Sequence, residues 1–305
     1  MGELYRRKVD QTEKGQGKMK KVVLSVVAAL AFSAAPAFAA DMPMKAAPAP
    51  APAAAASQWD VLFGTALTTN YVWRGISQSD RKPAVQGYFE VDFKATDWLT
   101  LYAGIWGSSI TTVIANAEID NTAGVRFSWG NFGLDLGADY YYYPDPTFPS
   151  LKGDTSISYV EFYAKPSYKI ADWLSISGQI YGGDNFGNSG ESAWYYSGMV
   201  TVTPPITLPG GITTSISGEV GRQTYSSGYK TLAGVSSHVV DYTQWNVGVD
   251  FIYKAITLDL RYYDTDIDLK SNPFQCATGP TFTTDACKGS FVAMLKFDTM
   301  LSALK

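Results

Sequence analysis

The 305-residue chain has one histidine, two cysteines and 17% charged residues, and it lacks any long apolar run beyond its N-terminal segment. So few imidazoles and thiols leave no Cys/His cluster for a metal, and no cofactor is implied. A Ser/His catalytic site would have to use His238, in "GVSSHVVDY" beside Ser236, Ser237 and Asp241, where a lone histidine reads as a solvated outer loop. No G-x-S-x-G nucleophile elbow occurs. Paired carboxylates such as Glu90/Asp92 and Glu118/Asp120 read as a charge-paired lining rather than a glycosidase pair. The chain therefore reads as a non-enzyme.

The apolar run that does exist starts at Val22, after the Lys-Lys of "MKKVVLSVVAALAFSAAPAFAAD", and ends at the small-residue site Ala37-Phe38-Ala39. It is short for a membrane-spanning helix, and it has the three parts of a secretory signal peptide over residues 19–39. Residues 1–18 then read as a misassigned N-terminal extension. Residues 40–57 form a Pro/Ala-rich linker that has no means of building a core. Without residues 1–39, 17 basic and 25 acidic side chains remain, a balance that excludes nucleic acid as a partner. Cys276 and Cys287, with ten residues between them in a Gly/Pro/Thr-rich stretch, read as a loop-closing disulfide of an exported protein.

What the chain has in abundance is Tyr (20) and Gly (28), a composition of strands and tight turns rather than long helices. From Trp59 one parity is apolar in segment after segment: Trp59 to Trp73, Val85 to Phe93, Leu99 to Ile105, Ile119 to Trp129, Phe132 to Tyr142 and Val160 to Ala164. The alternation continues through Leu174–Ile180, Trp194–Val202, Ile212–Val220, Trp245–Phe251, Ile256–Tyr262 and Phe291–Phe297. Twelve strands result, each long enough to cross a bilayer at a tilt, which takes about 9–11 residues. Alternate connections are short ("TD" at 96–97, "GN" at 130–131, "IAD" at 170–172, "PPITLPGG" at 204–211, the join near Ala255) and the others long and polar.

Alternation alone suits a soluble sandwich as well. The apolar parity, however, carries no Asp, Glu, Lys or Arg, and its aromatics gather at strand ends. Tyr71/Trp73, Tyr140–Tyr143, Trp194/Tyr196 and Tyr262/Tyr263 fall at one end; Trp59, Phe93, Trp129/Phe132, Tyr168 and Tyr253 fall at the other. Two such bands make the interfacial girdles of a membrane barrel. The fold class predicted for residues 58–305 is all-β, a transmembrane antiparallel β-barrel of about 12 strands. The opposite parity then lines a lumen with Glu90, Asp92, Lys94, Glu118, Asp120, Arg126, Asp135, Asp139, Glu161 and Lys165. Glu219, Asp250, Asp259 and Arg261 continue the lining, with Asp60, Lys254, Lys296 and Asp298 on the same parity and Arg74 turned into the mouth. Tyr88, Tyr102, Trp106 and Tyr181 are expected to narrow it.

"TTNYVWRGISQSDRKPAVQGYFEVDF" (68–93) followed by "LYAGIWGS" (101–108) resembles the TorF-type porin family, the Gcw_chp family of Gram-negative outer membranes. The matching positions are 73–79, 82–87 and 102–106; the rest agrees in strand pattern only. The family's closing aromatic is displaced here, since the chain ends "KFDTMLSALK", so Phe297 takes that place with a tail appended. The resemblance implies an outer-membrane location and a porin role. With the lumen's acidic excess, the expectation is a passive channel for small hydrophilic solutes or ions, weakly cation-favouring because carboxylate rings favour cations. The partners expected are outer-membrane lipid and those solutes. The alternative is a non-conducting barrel acting as a structural protein or adhesin through its outer loops.

Overall fold

Pairing every backbone N–H and C=O within the chain, as a membrane demands, requires a sheet with no free edge, and the alternating segments form one. In the computed structural model, described over residues 57–112, 115–144, 157–226, 239–271, 275–277 and 285–304, twelve long strands close into a ring. They are β1 (Trp59–Thr68), β4 (Ala84–Thr96), β5 (Leu99–Ser109), β6 (Ala117–Trp129), β7 (Phe132–Tyr142) and β8 (Tyr159–Ala171). The ring continues with β9 (Leu174–Gly183), β10 (Ala193–Val202), β12 (Ile212–Tyr225), β13 (Tyr242–Tyr253), β14 (Ile256–Thr265) and β15 (Ser290–Met300). Every neighbouring pair is antiparallel. The ring shuts where β1 pairs with β15, with Leu62 opposite Met300, and it has no gap at β10–β12. The extension 1–18, the signal peptide 19–39, nearly all of the linker and His238 lie outside the described residues.

Three short strands sit outside the ring: β2 (Val72–Trp73) pairs with β3 (Ile76–Ser77), and β11 (Thr207–Leu208) folds onto β12. The tight connections fall at Asp97–Trp98, Gly130–Asn131, Asp172–Trp173 and Lys254–Ala255. Gly130 and Lys254 have φ of +59° and +55°, the left-handed geometry that two-residue hairpins need. All lie at one end of the barrel, and the long connections lie at the other.

Polarity is inverted relative to a water-soluble protein. Phe89, Leu101, Ile105, Leu136, Phe162, Ile180, Val220, Val247, Leu260 and Leu295 are exposed around the outside. The buried side chains include Glu118, Asp120, Asp135, Asp139, Glu161, Gln223, Gln244 and Asp259. An apolar belt on every strand has hydrocarbon as its natural solvent. At the short-turn end Trp98, Phe127, Trp129 and Phe132 stack in a row, with ring centroids 5.2–6.2 Å apart. The fold is thus an all-β, twelve-stranded transmembrane barrel, with no helix among the described residues long and apolar enough to cross a membrane.

Candidate functional site

The predicted first strand runs to Trp73; the observed one stops at Thr68. There the hydroxyl of Thr68 donates to the Asn70 carbonyl at 2.8 Å, and Asn70 Oδ1 accepts from Ser77 Oγ at 2.6 Å and Ser79 Oγ at 3.2 Å. These small polar side chains satisfy a backbone that turns inward rather than outward. Residues 69–83 consequently fold into the long-loop end of the barrel, with Arg74 and Gly75 at the tip of the β2–β3 hairpin. Both tip residues are left-handed, at φ +48° and +82°. A Cβ on Gly75 would meet Thr265 Cγ2 at 2.6 Å and Gln244 Cβ at 2.7 Å, so only glycine passes this close to the wall.

The loop corrects the expectation that Tyr71 and Trp73 belong to a lipid-facing girdle. Tyr71 is buried inside and donates its hydroxyl to Glu118 Oε1 at 2.8 Å. Burial pushes its phenol well above the ordinary tyrosine value, which keeps it a donor. Trp73 packs against Tyr141 and Phe186, also inside. The alternation carries on through these rings, but the chain has already left the wall.

Arg74 fills the mouth. Its Nη2 lies 2.6 Å from Glu161 Oε2, and its Nη1 donates to Glu161 Oε1 at 3.1 Å and Gln223 Oε1 at 2.9 Å. Its Cζ is 4.1 Å from the Trp73 ring centroid, 4.6 Å from that of Tyr195 and 5.0 Å from that of Tyr181. Glu161 and Gln223 are both 0% exposed. A forked guanidinium matched to a carboxylate and wrapped in ring faces is a strong arrangement for a buried cation. The Tyr242 hydroxyl fixes the backbone by donating to the Arg74 carbonyl at 3.0 Å.

Below the loop, Arg126 gathers three carboxylates. It pairs with Glu90 through both Nη atoms at 2.7 and 2.9 Å, and lies 3.4 Å from Asp92 Oδ1 and from Asp135 Oδ2. Its Cζ stacks 3.7 Å from the Tyr102 ring centroid. Tyr102 donates to Asp135 Oδ1 at 2.6 Å and touches the Tyr163 hydroxyl. Tyr102, Tyr163, Tyr181 and Tyr195 form one buried cluster, and Lys165 Nζ sits 3.8 Å from the Tyr163 ring centroid. Gly124 leaves room for this layer: a Cβ there would lie 2.6 Å from the Tyr102 hydroxyl.

On the facing wall Arg261 donates to Asn246 Oδ1 at 2.7 Å and Ser217 Oγ at 2.8 Å and pairs with Asp259 at 3.3 Å. Glu219 accepts from Gln179, Tyr195 and Asn246. Asp139 accepts from the Thr122 hydroxyl. A cavity of about 400 Å³ runs between the walls and is lined by Arg74, Glu90, Asp120, Asp139, Asp250 and Asp298 among others. Among the described residues, one buried carboxylate oxygen each of Asp120, Asp259 and Asp298 has no hydrogen-bond partner, and that of Asp250 lies 3.9 Å from Lys296 Nζ.

Not every charged residue of the lumen parity comes to this cavity. Lys94 lies at the short-turn rim, paired with Asp97 at 3.2 Å and largely exposed. Lys254 is in the β13–β14 turn, stacked 5.3 Å from the Tyr253 ring centroid. Asp60 holds Ser302 at the same rim. Two cations and one carboxylate thus leave the interior, which is more acidic by one net charge than parity alone implies. Gln223, Tyr195, Tyr163 and Gln244 carry the site without being singled out from the sequence. Their inward parity is legible in the sequence, but nothing in it marks them out from the other uncharged residues of that parity. Cys276 and Cys287 are disulfide-bonded. Among the described residues no group of three or more His, Cys, Asp or Glu is placed to hold a metal.

No curated protein matches the chain. Among solved structures it is similar to an outer-membrane channel from Pseudomonas putida F1, at 12% identity and a TM-score of 0.46, over 81% of this chain and 97% of that one. It is also similar to LpxR from Salmonella typhimurium, at 10% identity and TM-score 0.41 over 77% and 99% of the two chains. The Pseudomonas putida toluene transporter TodX aligns at 8% identity and TM-score 0.42, over 80% and 88%. Residues 52–295, from the linker to the last strand, match the family described as "Bacterial protein of unknown function (Gcw_chp)", and the chain with its inward Arg-Gly hairpin belongs to that family.

Proposed function

We propose that the protein is a porin-like channel of the TorF type in the outer membrane of a Gram-negative bacterium, exported by its signal peptide, and that it is not an enzyme. Small hydrophilic solutes or ions pass by diffusion, with the short turns in the periplasm and the long loops outside. The observation that carries the reading is the cavity of about 400 Å³ between the walls, which is lined by more carboxylates than cations. The residues proposed to line the path are Glu90, Asp92, Asp120, Arg126, Asp135, Asp139, Lys165, Glu219, Asp250, Asp259 and Arg261, with Glu118, Glu161 and Arg74 at the mouth. Carboxylates outnumber cations among them, so cations are favoured over anions.

Purified protein inserted in a planar bilayer is expected to give discrete current steps. In a salt gradient, its reversal potential should carry the sign of modest cation preference. An anion-selective sign would defeat the charge argument. One observation favours a second reading: residues 69–83 fill the long-loop mouth. A barrel held shut by that loop would act as a scaffold or adhesin, and it would insert yet never conduct.

A further inference from the structure

Arg74 is bound the way a ligand is bound. Glu161 comes from β8, Gln223 from β12, Tyr181 from β9 and Tyr195 from β10. Four wall strands thus supply a carboxylate fork, an amide acceptor and two ring faces to one guanidinium that arrives on a loop. The wall half of this site is complete without the loop. With the arginine withdrawn, it would present a carboxylate and an amide oxygen beside two aromatic rings. The loop half is under strain, because Arg74 adopts a left-handed backbone that L side chains avoid. Apart from Arg74, polar contacts of its own small residues, of Tyr71 and Tyr242, and of Arg81 with the last loop hold it.

We propose that Glu161, Gln223, Tyr181 and Tyr195 form a recognition site for guanidinium-bearing solutes at the mouth of the lumen, occupied at rest by the protein's own Arg74. The first loop is then a displaceable plug whose side chain mimics the solute. Planar forked donors satisfy Glu161 and Gln223 together, and a flat delocalised cation lies against the two neighbouring rings. An ammonium of equal charge does neither as well. This inference rests on the channel reading for its consequence, passage through the lumen, but not for the binding itself.

The test uses the full-length barrel with Arg74→Gly, since glycine accepts the φ of +48° at this position. Methylguanidinium and free arginine are expected to bind R74G at millimolar concentration, read by calorimetry in detergent. Lysine and tetramethylammonium at equal ionic strength should bind at least tenfold more weakly, and R74G/E161Q should lose the preference. In bilayers, R74G should conduct several-fold more than the wild type, and methylguanidinium should return it toward the wild-type level.

No difference between methylguanidinium and the ammonium controls in R74G would overturn the proposal. Binding without current in any variant would sustain the site and sink the channel reading instead. Current through R74G without binding would do the reverse. If R74G fails to assemble, millimolar methylguanidinium should rescue it by refilling the site. Failure to rescue, while R74G/E161Q assembles, would count against the site.

Discussion

At Arg74 two effects oppose each other. A left-handed backbone at a non-glycine residue costs about 1–2 kcal/mol, while breaking a buried ion pair costs about 3–5 kcal/mol. The ion pair with Glu161 decides which wins, so the loop stays in. Glu161→Gln keeps the shape and removes the charge. It is expected to weaken closure by about 3–5 kcal/mol, seen as faster hydrogen exchange over residues 69–83 while the wall strands keep their protection. Unchanged exchange in the loop would mean that the ion pair is not what holds it. Little of this was legible beforehand. A Trp-Arg-Gly triplet marks a special place, but the parity of Tyr71 and Trp73 continues the apolar stripe of β1. Only the distant partners Glu118, Glu161 and Gln223 show that these side chains face inward.

The element that matters most is the pair of loops at the long-loop end. The first is tied to the last by Ser77 N donating to the Ala286 carbonyl at 2.9 Å, and by the Arg81 guanidinium donating to the carbonyls of Asp285, Lys288 and Gly289. Ile76 packs on the cluster of Tyr242, Ile267, Cys276 and Cys287, and the Thr265 hydroxyl donates to the Cys287 carbonyl. The disulfide therefore braces the plug from behind. Across a separation of 11 residues, such a cross-link contributes about 3 kcal/mol. Replacing both cysteines by serine should leave the barrel ladder intact and loosen residues 69–83. In bilayers the sign is more frequent transitions between closed and open levels; recordings indistinguishable from the wild type would show that the brace is idle. The cysteine pair itself was readable from spacing and export. That it touches the first loop was not, because the contact spans about two hundred residues of sequence.

For the whole molecule, the period-two pattern was enough. All twelve strands begin within three residues of where alternation starts them, four of the five tight turns fall within two residues of their expected places, and Phe132–Tyr142 coincides at both ends. The fifth turn contains β11, a strand too short to carry a pattern. Side-chain parity is robust because slipping a strand by one residue would send Asp135 or Asp259 into hydrocarbon. What parity lacks is height: Lys94 and Lys254 share the lumen parity yet sit at the rim.

The central claim is that one side of each strand touches acyl chains and the other surrounds water, and β14 tests it most directly. Leu258, Asp259, Leu260 and Arg261 are consecutive: the two leucines are exposed on the outside and the two charged residues face the cavity. Single cysteines at each position, in protein reconstituted into lipid, are challenged with a charged, membrane-impermeant thiol reagent. The account predicts rapid labelling of Asp259→Cys and Arg261→Cys and none of Leu258→Cys or Leu260→Cys. Labelling of the leucine sites at comparable rates would contradict it.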